Sequence, residues 1–191
     1  MDKTNTLKIT IVGDVAAGKT WLWQSYFQNR KPPYVQTMFD NYSTSVLYNG
    51  QEVLISLFEM CGDEEYAELR KVIYPGTNVV ILCIAVDNPE SVAKSGNFGS
   101  LERWSLELKD NCKGIPIVIV GTKKDLRGDP VVLRRLGENK LKPLKYKDII
   151  KATKKFKNAI ALDCSSISKD GVQDVFKAVV KLGLRNKSYN K

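Results

Sequence analysis

The sequence predicts an α/β fold: a mostly parallel sheet with one antiparallel edge hairpin and helices on both faces. Three observations carry that expectation. Apolar runs alternate with helical patterns along the chain. Two of the runs, NVVILCIAV (78–86) and IPIVIVG (115–121), are continuously apolar, as strands buried on both faces of a parallel sheet are. Asn49-Gly50, the strongest short hairpin signal, sits between STSVLY (43–48) and EVLISLF (52–58), which should therefore pair antiparallel.

In order along the chain, LKITIV (7–12) reads as a buried strand and leads into the glycine loop GDVAAGKT (13–20). KTWLWQSYFQN (19–29) reads as a short helix, followed by the two hairpin strands. Further helical patterns fall at 63–71, 101–112, 146–156 and 172–184, and NAIALDC (158–164) is the last strand, giving six. SVAKSGNFGSLERW (91–104) is rich in Gly, Ser and Asn and reads as a solvent loop extending the start of a helix. No repeat, low-complexity segment or second domain is visible; one domain is expected over 1–184, with a basic C-terminal tail at 185–191.

Composition narrows the function classes. With 43% apolar and 27% charged residues, the chain is composed like an ordinary soluble globular domain. No stretch approaches the roughly 20 apolar residues of a membrane span, and MDKTNTLK lacks the apolar core of a signal peptide. The expected location is cytoplasmic, with peripheral contact at the inner face of the membrane. Four cysteines are scattered without metal-ligand spacing; Cys83, inside an apolar run, reads as a buried reduced thiol. The chain has no histidine, which removes His-based acid–base catalysis and His metal sites. The net charge of +9 is concentrated toward the C-terminus, in KLKPLKYKDIIKATKKFK and KLGLRNKSYNK. With no helix-turn-helix, zinc-finger or RNP-like motif beside it, nucleic acid is not expected as a partner; an anionic membrane or an acidic surface fits better.

The glycine loop fits Gly-x4-Gly-Lys-Ser/Thr between a strand and a helix. There, successive N–H groups of Asp14, Val15, Ala16, Ala17, Gly18 and Lys19 can wrap a phosphate, aided by the partial positive charge at the helix start. Lys19 would reach the β- and γ-phosphates, and the Thr20 hydroxyl would ligate Mg²⁺. The strand IPIVIVG ends in GTKKD (121–125). The Asp125 carboxylate can accept two hydrogen bonds from guanine N1–H and its exocyclic amine, a pair that adenine does not present, while the Lys123 stem would cover one face of the ring.

Together these segments resemble the Rho branch of the Ras-like small GTPases along nearly the whole chain, and the resemblance implies a P-loop small G domain with GTP/GDP and Mg²⁺ as cofactors. It rests on YVQTMFDNYS (34–43), like the effector loop called switch I; on IYPGTNVVILCIAV; on GTKKDLR; and on 128–146, whose length matches the helix insert of the Rho branch, placed within about 129–141. The resemblance implies that Tyr34 closes over the phosphates, that Thr37 binds Mg²⁺ and the γ-phosphate, and that Gly62 and Thr122 belong to the nucleotide site. It also implies that the loop CSS, through Ser165 and Ser166, contacts guanine O6. Effectors would dock on switch I (34–43) and switch II (59–71), with exchange factors as further partners.

The departures from the family bear on hydrolysis. Val15 replaces a glycine beside the γ-phosphate, where an inserted arginine worth about 10³–10⁵ in rate must fit. EMCGD (59–63) replaces Asp-x-x-Gly-Gln. Asp63 thus stands where a glutamine orients the attacking water, and a short anion there opposes catalysis. Glu59, one methylene longer than the aspartate it replaces, is expected behind the Mg²⁺ ligands. Arg30 or Lys31 stands where the family packs an aromatic on guanine. KSYNK lacks a Cys-a-a-X box, so either the native C-terminus extends further or membrane contact relies on the basic tail alone. The expected function is a Rho-like switch that holds GTP, hydrolyses it poorly and signals to cytoskeletal or membrane effectors. A slow but genuine GTPase and a nucleotide-free scaffold remain the alternatives.

Overall fold

A computed structural model describes residues 5–29, 37–92 and 100–189. Tyr34 and the Arg30/Lys31 position, together with residues 93–99 of the 91–104 loop, lie outside the described residues. The strands are β1 (Asn5–Gly13), β2 (Phe39–Tyr48), β3 (Gln51–Met60), β4 (Val79–Ala85), β5 (Ile117–Thr122) and β6 (Ala159–Asp163). They form one sheet in the order β2-β3-β1-β4-β5-β6, with β2–β3 antiparallel and the other pairs parallel. The hairpin turn is the expected one: Asn49 and Gly50 both take left-handed backbone, φ 50° and 76°, which matches the twist of the paired strands.

Among the described residues six α-helices accompany the sheet: α1 (Lys19–Phe27), α2 (Ala67–Arg70), α3 (Ser100–Asn111), α4 (Pro130–Glu138), α5 (Tyr146–Thr153) and α6 (Val172–Tyr189). One face of the sheet packs Leu7, Ile9, Ile81 and Val120 against Leu22 and Trp23 of α1 and Val175, Phe176 and Val179 of α6. The other packs Val80, Leu82 and Ile119 against Leu101, Trp104 and Leu108 of α3 and Ile149 of α5. Every residue of β4 and β5 is buried, because helices cover both faces there.

Two elements differ from the sequence pattern. The 63–71 pattern is not one helix but a 3₁₀ turn (Glu64–Tyr66), the single α-turn α2 and a second 3₁₀ turn (Lys71–Ile73). Arg70 reaches back to the carbonyls of Cys61 and Asp63 (2.9 and 2.5 Å), and these bonds hold the chain in tight turns. At the other end, α6 runs past residue 184 to Tyr189, anchored by Asn186 on the Asn78 carbonyl (3.1 Å) and Lys187 on the Thr6 carbonyl (2.7 Å). Helix α4 lies within the 129–141 stretch and is capped by Asp129, whose carboxylate accepts from Val131 and Val132 N–H (both 2.9 Å) with Pro130 at the first position.

Candidate functional site

The strand order reverses around β1, which lies between β3 and β4, and crevices at the carboxyl ends of strands form at such a reversal. A cleft of about 330 Å³ opens there. The glycine loop makes its floor. Gly13 has φ 141°, and a Cβ on it would stand 2.4 Å from the Cys83 carbonyl oxygen of β4, so only glycine lets β1 turn at this point. Ala17 N–H donates to the Asp14 carbonyl (3.1 Å) and closes the loop. Gly18, left-handed at φ 80°, starts α1 without a side-chain cap, so the first N–H groups of the helix are free to take an anion. Lys19 is buried, and its ammonium donates to the Gly13 and Asp14 carbonyls (3.0 and 2.9 Å). That bond pair holds the charge across the mouth of the loop.

Three side chains from distant segments meet beside it. The Thr20 and Thr37 hydroxyls lie 3.1 Å apart, and Thr20 donates to Glu59 Oε1 (2.8 Å). Glu59 is 1% exposed. Burial pushes its carboxyl above the usual carboxylate value, against hydrogen bonds from Trp23 and Thr20 and the charge of Lys19, which pull it down. Two hydroxyls and one carboxylate form an all-oxygen set that suits Mg²⁺. Among the described residues no group of three or more His, Cys, Asp or Glu could hold a metal unaided. A cation here would therefore need phosphate oxygens as well, as Mg²⁺ commonly does.

At the far end Thr122, Lys123, Asp125 and Ser166 line the cleft. Thr122 Oγ1 donates to the Ala17 carbonyl (2.6 Å), tying the end of β5 to the glycine loop. Lys123 is left-handed (φ 57°), and its ammonium reaches Asp87 (3.2 Å), which lays its stem along the wall. Lys124 N–H donates to the Cys164 carbonyl (3.0 Å) and draws the β6 loop alongside.

The cleft thus brings together Val15, Ala16, Ala17, Gly18, Lys19, Thr20, Thr37, Glu59, Gly62, Thr122, Lys123, Asp125 and Ser166. Three expected residues are not on its wall. The Asp14 carboxylate points to α3, accepting from Trp104 Nε1 (2.8 Å), Arg103 (3.1 Å) and the Ser100 hydroxyl; only its backbone belongs to the loop. Ser165 is fully buried, its N–H bonded to the Asp170 carbonyl (2.9 Å). The Asp63 carboxylate caps its own turn by accepting from Glu65 N–H (3.2 Å).

Sequence reasoning missed Trp21, Cys61, Leu126 and Ile167, which also line the cleft, and Trp23, whose Nε1 donates to Glu59 Oε2 (2.7 Å). Two tryptophans directly after the phosphate-loop lysine were the available signal for Trp21 and Trp23. It also missed a brace behind the site. The Arg103 and Arg70 guanidiniums lie 5.0 and 4.7 Å from the Trp104 ring centroid. Between them they donate to the carbonyls of Cys61, Gly62 and Asp63, while Arg70 pairs with Glu107 (2.8 Å).

Residues 8–184 match the Ras family. The chain belongs to the Ras family. This Ras-family chain is accordingly a small GTP-binding switch domain.

Proposed function

We propose that this chain is a Rho-like guanine-nucleotide switch that holds GTP and hydrolyses it poorly. In this reading Lys19, Thr20, Thr37 and the loop 14–19 bind the phosphates and Mg²⁺, and Asp125, Lys123 and Ser166 recognise guanine. Mg²⁺ would neutralise phosphate charge at Thr20, Thr37 and Glu59. The observation that carries the reading is the contrast between that intact cleft and Asp63. Its carboxylate is hydrogen-bonded to its own turn and off the wall, which supports the loss of a water-orienting group at that position. Val15, on the wall and 39% exposed, adds a branched side chain where an incoming arginine would have to enter.

Helix α4 at the insert position supports the Rho branch. Met38, Phe39 and Leu69, all exposed, support effector docking on 34–43 and 59–71. By resemblance those effectors act on the cytoskeleton or membranes. Basic residues toward the C-terminus, outside the Lys187 anchor on Thr6, would add contact with an anionic inner leaflet, worth about 1 kcal/mol per charge near the surface. No helix among the described residues is long and apolar enough to cross a membrane.

The test is to denature the purified protein, identify the released nucleotide, and then follow one turnover of loaded GTP. The expected outcome is bound GTP, with hydrolysis rising on the order of 10² in the Val15→Gly/Asp63→Gln double variant. Bound GDP with rapid single-turnover hydrolysis would make it a cycling GTPase. A protein that neither carries nor takes up guanine nucleotide would be a scaffold.

A further inference from the structure

The metal-side carboxylate is held in an unusual way. Glu59 projects from β3 at the register of Ile11 on β1 and Asp40 on β2, and it is 1% exposed. A carboxylate so buried needs partners on both oxygens, because an unsatisfied charged acceptor in the interior is strongly destabilising. Oε1 takes the Thr20 hydroxyl (2.8 Å), and Thr20 in turn lies 3.1 Å from Thr37. Oε2 takes the Trp23 indole N–H (2.7 Å). Trp23 is itself 2% exposed, and its ring stacks on Tyr42 of β2 with centroids 5.2 Å apart and planes 28° apart. The indole therefore has one orientation, and the donor it presents is fixed from two sides.

We infer that Trp23 is a positioning residue for the metal site: its indole N–H anchors Glu59 Oε2 so that Oε1 alone faces Thr20 and Thr37. The inference rests on the nucleotide-switch reading above and deepens it. A glutamate arm has one more rotatable bond than an aspartate arm. Left unanchored, it can swing out of line with the two hydroxyls or push into the space a cation and its waters need. A group that orients a ligand or its hydrogen-bond partner typically governs metal affinity by about tenfold to a hundredfold. Trp23 also packs on Tyr42, so the same indole joins the metal-side carboxylate to the part of switch I that enters the edge strand β2.

The experiment measures guanine-nucleotide release against free Mg²⁺ for the full chain, W23F, E59D and W23F/E59D. Phenylalanine keeps the ring packing on Tyr42 and removes only the donor. Glu59→Asp shortens the arm by one methylene and withdraws it from the indole. W23F should raise the Mg²⁺ concentration that half-protects bound nucleotide by about tenfold. In the Glu59→Asp background the same change should have no further effect on Mg²⁺ dependence. A urea-unfolding cycle on the four proteins without Mg²⁺ should show coupling between the two positions, because the hydrogen bond exists without the metal.

Equal Mg²⁺ dependence in the wild type and W23F, with nucleotide bound in both, overturns the positioning role and leaves the switch reading intact. A W23F effect of the same size in both backgrounds assigns it to packing and also overturns the role. A wild type that takes up neither guanine nucleotide nor Mg²⁺ overturns both readings.

Discussion

Asp125 illustrates how a single residue can be legible in sequence and still need the fold to act. Its type and its place after Thr122 and Lys123 point to guanine, since a carboxylate accepts two bonds that adenine cannot offer. The structure sets it on the same cleft as Lys19, carried there by the end of β5 and tied to the glycine loop through Thr122. Each hydrogen bond to a charged group contributes about 1.5–3 kcal/mol. Asp125→Ala should therefore weaken GTP binding on the order of 10²-fold or more and leave ATP binding unchanged, as measured by competition with a labelled nucleotide. Asp63 shows the opposite case. Its identity argues against glutamine-type catalysis, but only the folded turn shows its carboxylate accepting from Glu65 N–H. Asp14 is a third kind: its backbone role follows from the loop pattern, whereas its side chain answers to Trp104 and Arg103, 90 and 89 residues away.

At the scale of elements, the regular pieces were legible and the switch II segment was not. β4 and β5 declare themselves as unbroken apolar runs, and Asn49-Gly50 marks the hairpin. The 63–71 pattern reads as a helix because periodicity records only which residues face inward. It does not record that Arg70 turns its guanidinium back onto the Cys61 and Asp63 carbonyls and pairs with Glu107 of α3. The same Glu107 accepts from the Tyr74 hydroxyl (2.5 Å), whose pKa is driven far up by burial and by that carboxylate. Removing Arg70 leaves the half-buried Glu107 charge without its counter-ion, held by the Tyr74 hydroxyl alone. Arg70→Ala should cost about 3–5 kcal/mol in urea unfolding, and the amides of residues 61–73 should exchange faster than the rest of the chain. Gly62 sets the limit on how far that segment can move inward. A Cβ there would stand 2.0 Å from the Gly13 carbonyl oxygen, so the start of switch II is already pressed onto the glycine loop.

Across the whole molecule, the sheet organises titration as well as the site. Cys83, Cys112 and Cys164 are all buried. Burial raises the Cys83 thiol well above its ordinary range and pushes Cys112 and Cys164 up to about 12. A thiol whose folded pKa is raised keeps its proton when the unfolded chain has already lost it. Stability is therefore full below the ordinary thiol value of 9.0 and falls as pH climbs from there toward 12. Each such thiol steepens the fall by about 1.4 kcal/mol per pH unit. Urea midpoints taken from about pH 7 to about pH 11 should show this decline, and Cys164→Ala should make it shallower.

By itself the sequence determined the α/β class, the six strands, the edge hairpin and most of the residues that the structure gathers in one cleft. These follow from local periodicity and from short motifs whose chemistry depends on residue type and spacing. Tertiary structure alone decided that Glu59 is held by Trp23, 36 positions away, and that Asp63 faces its own turn. It also decided that two arginines and Trp104 brace switch II from behind. Those outcomes depend on which side chains the completed sheet brings within about 3 Å of one another. A hydrogen bond between distant positions leaves no period in the chain to read.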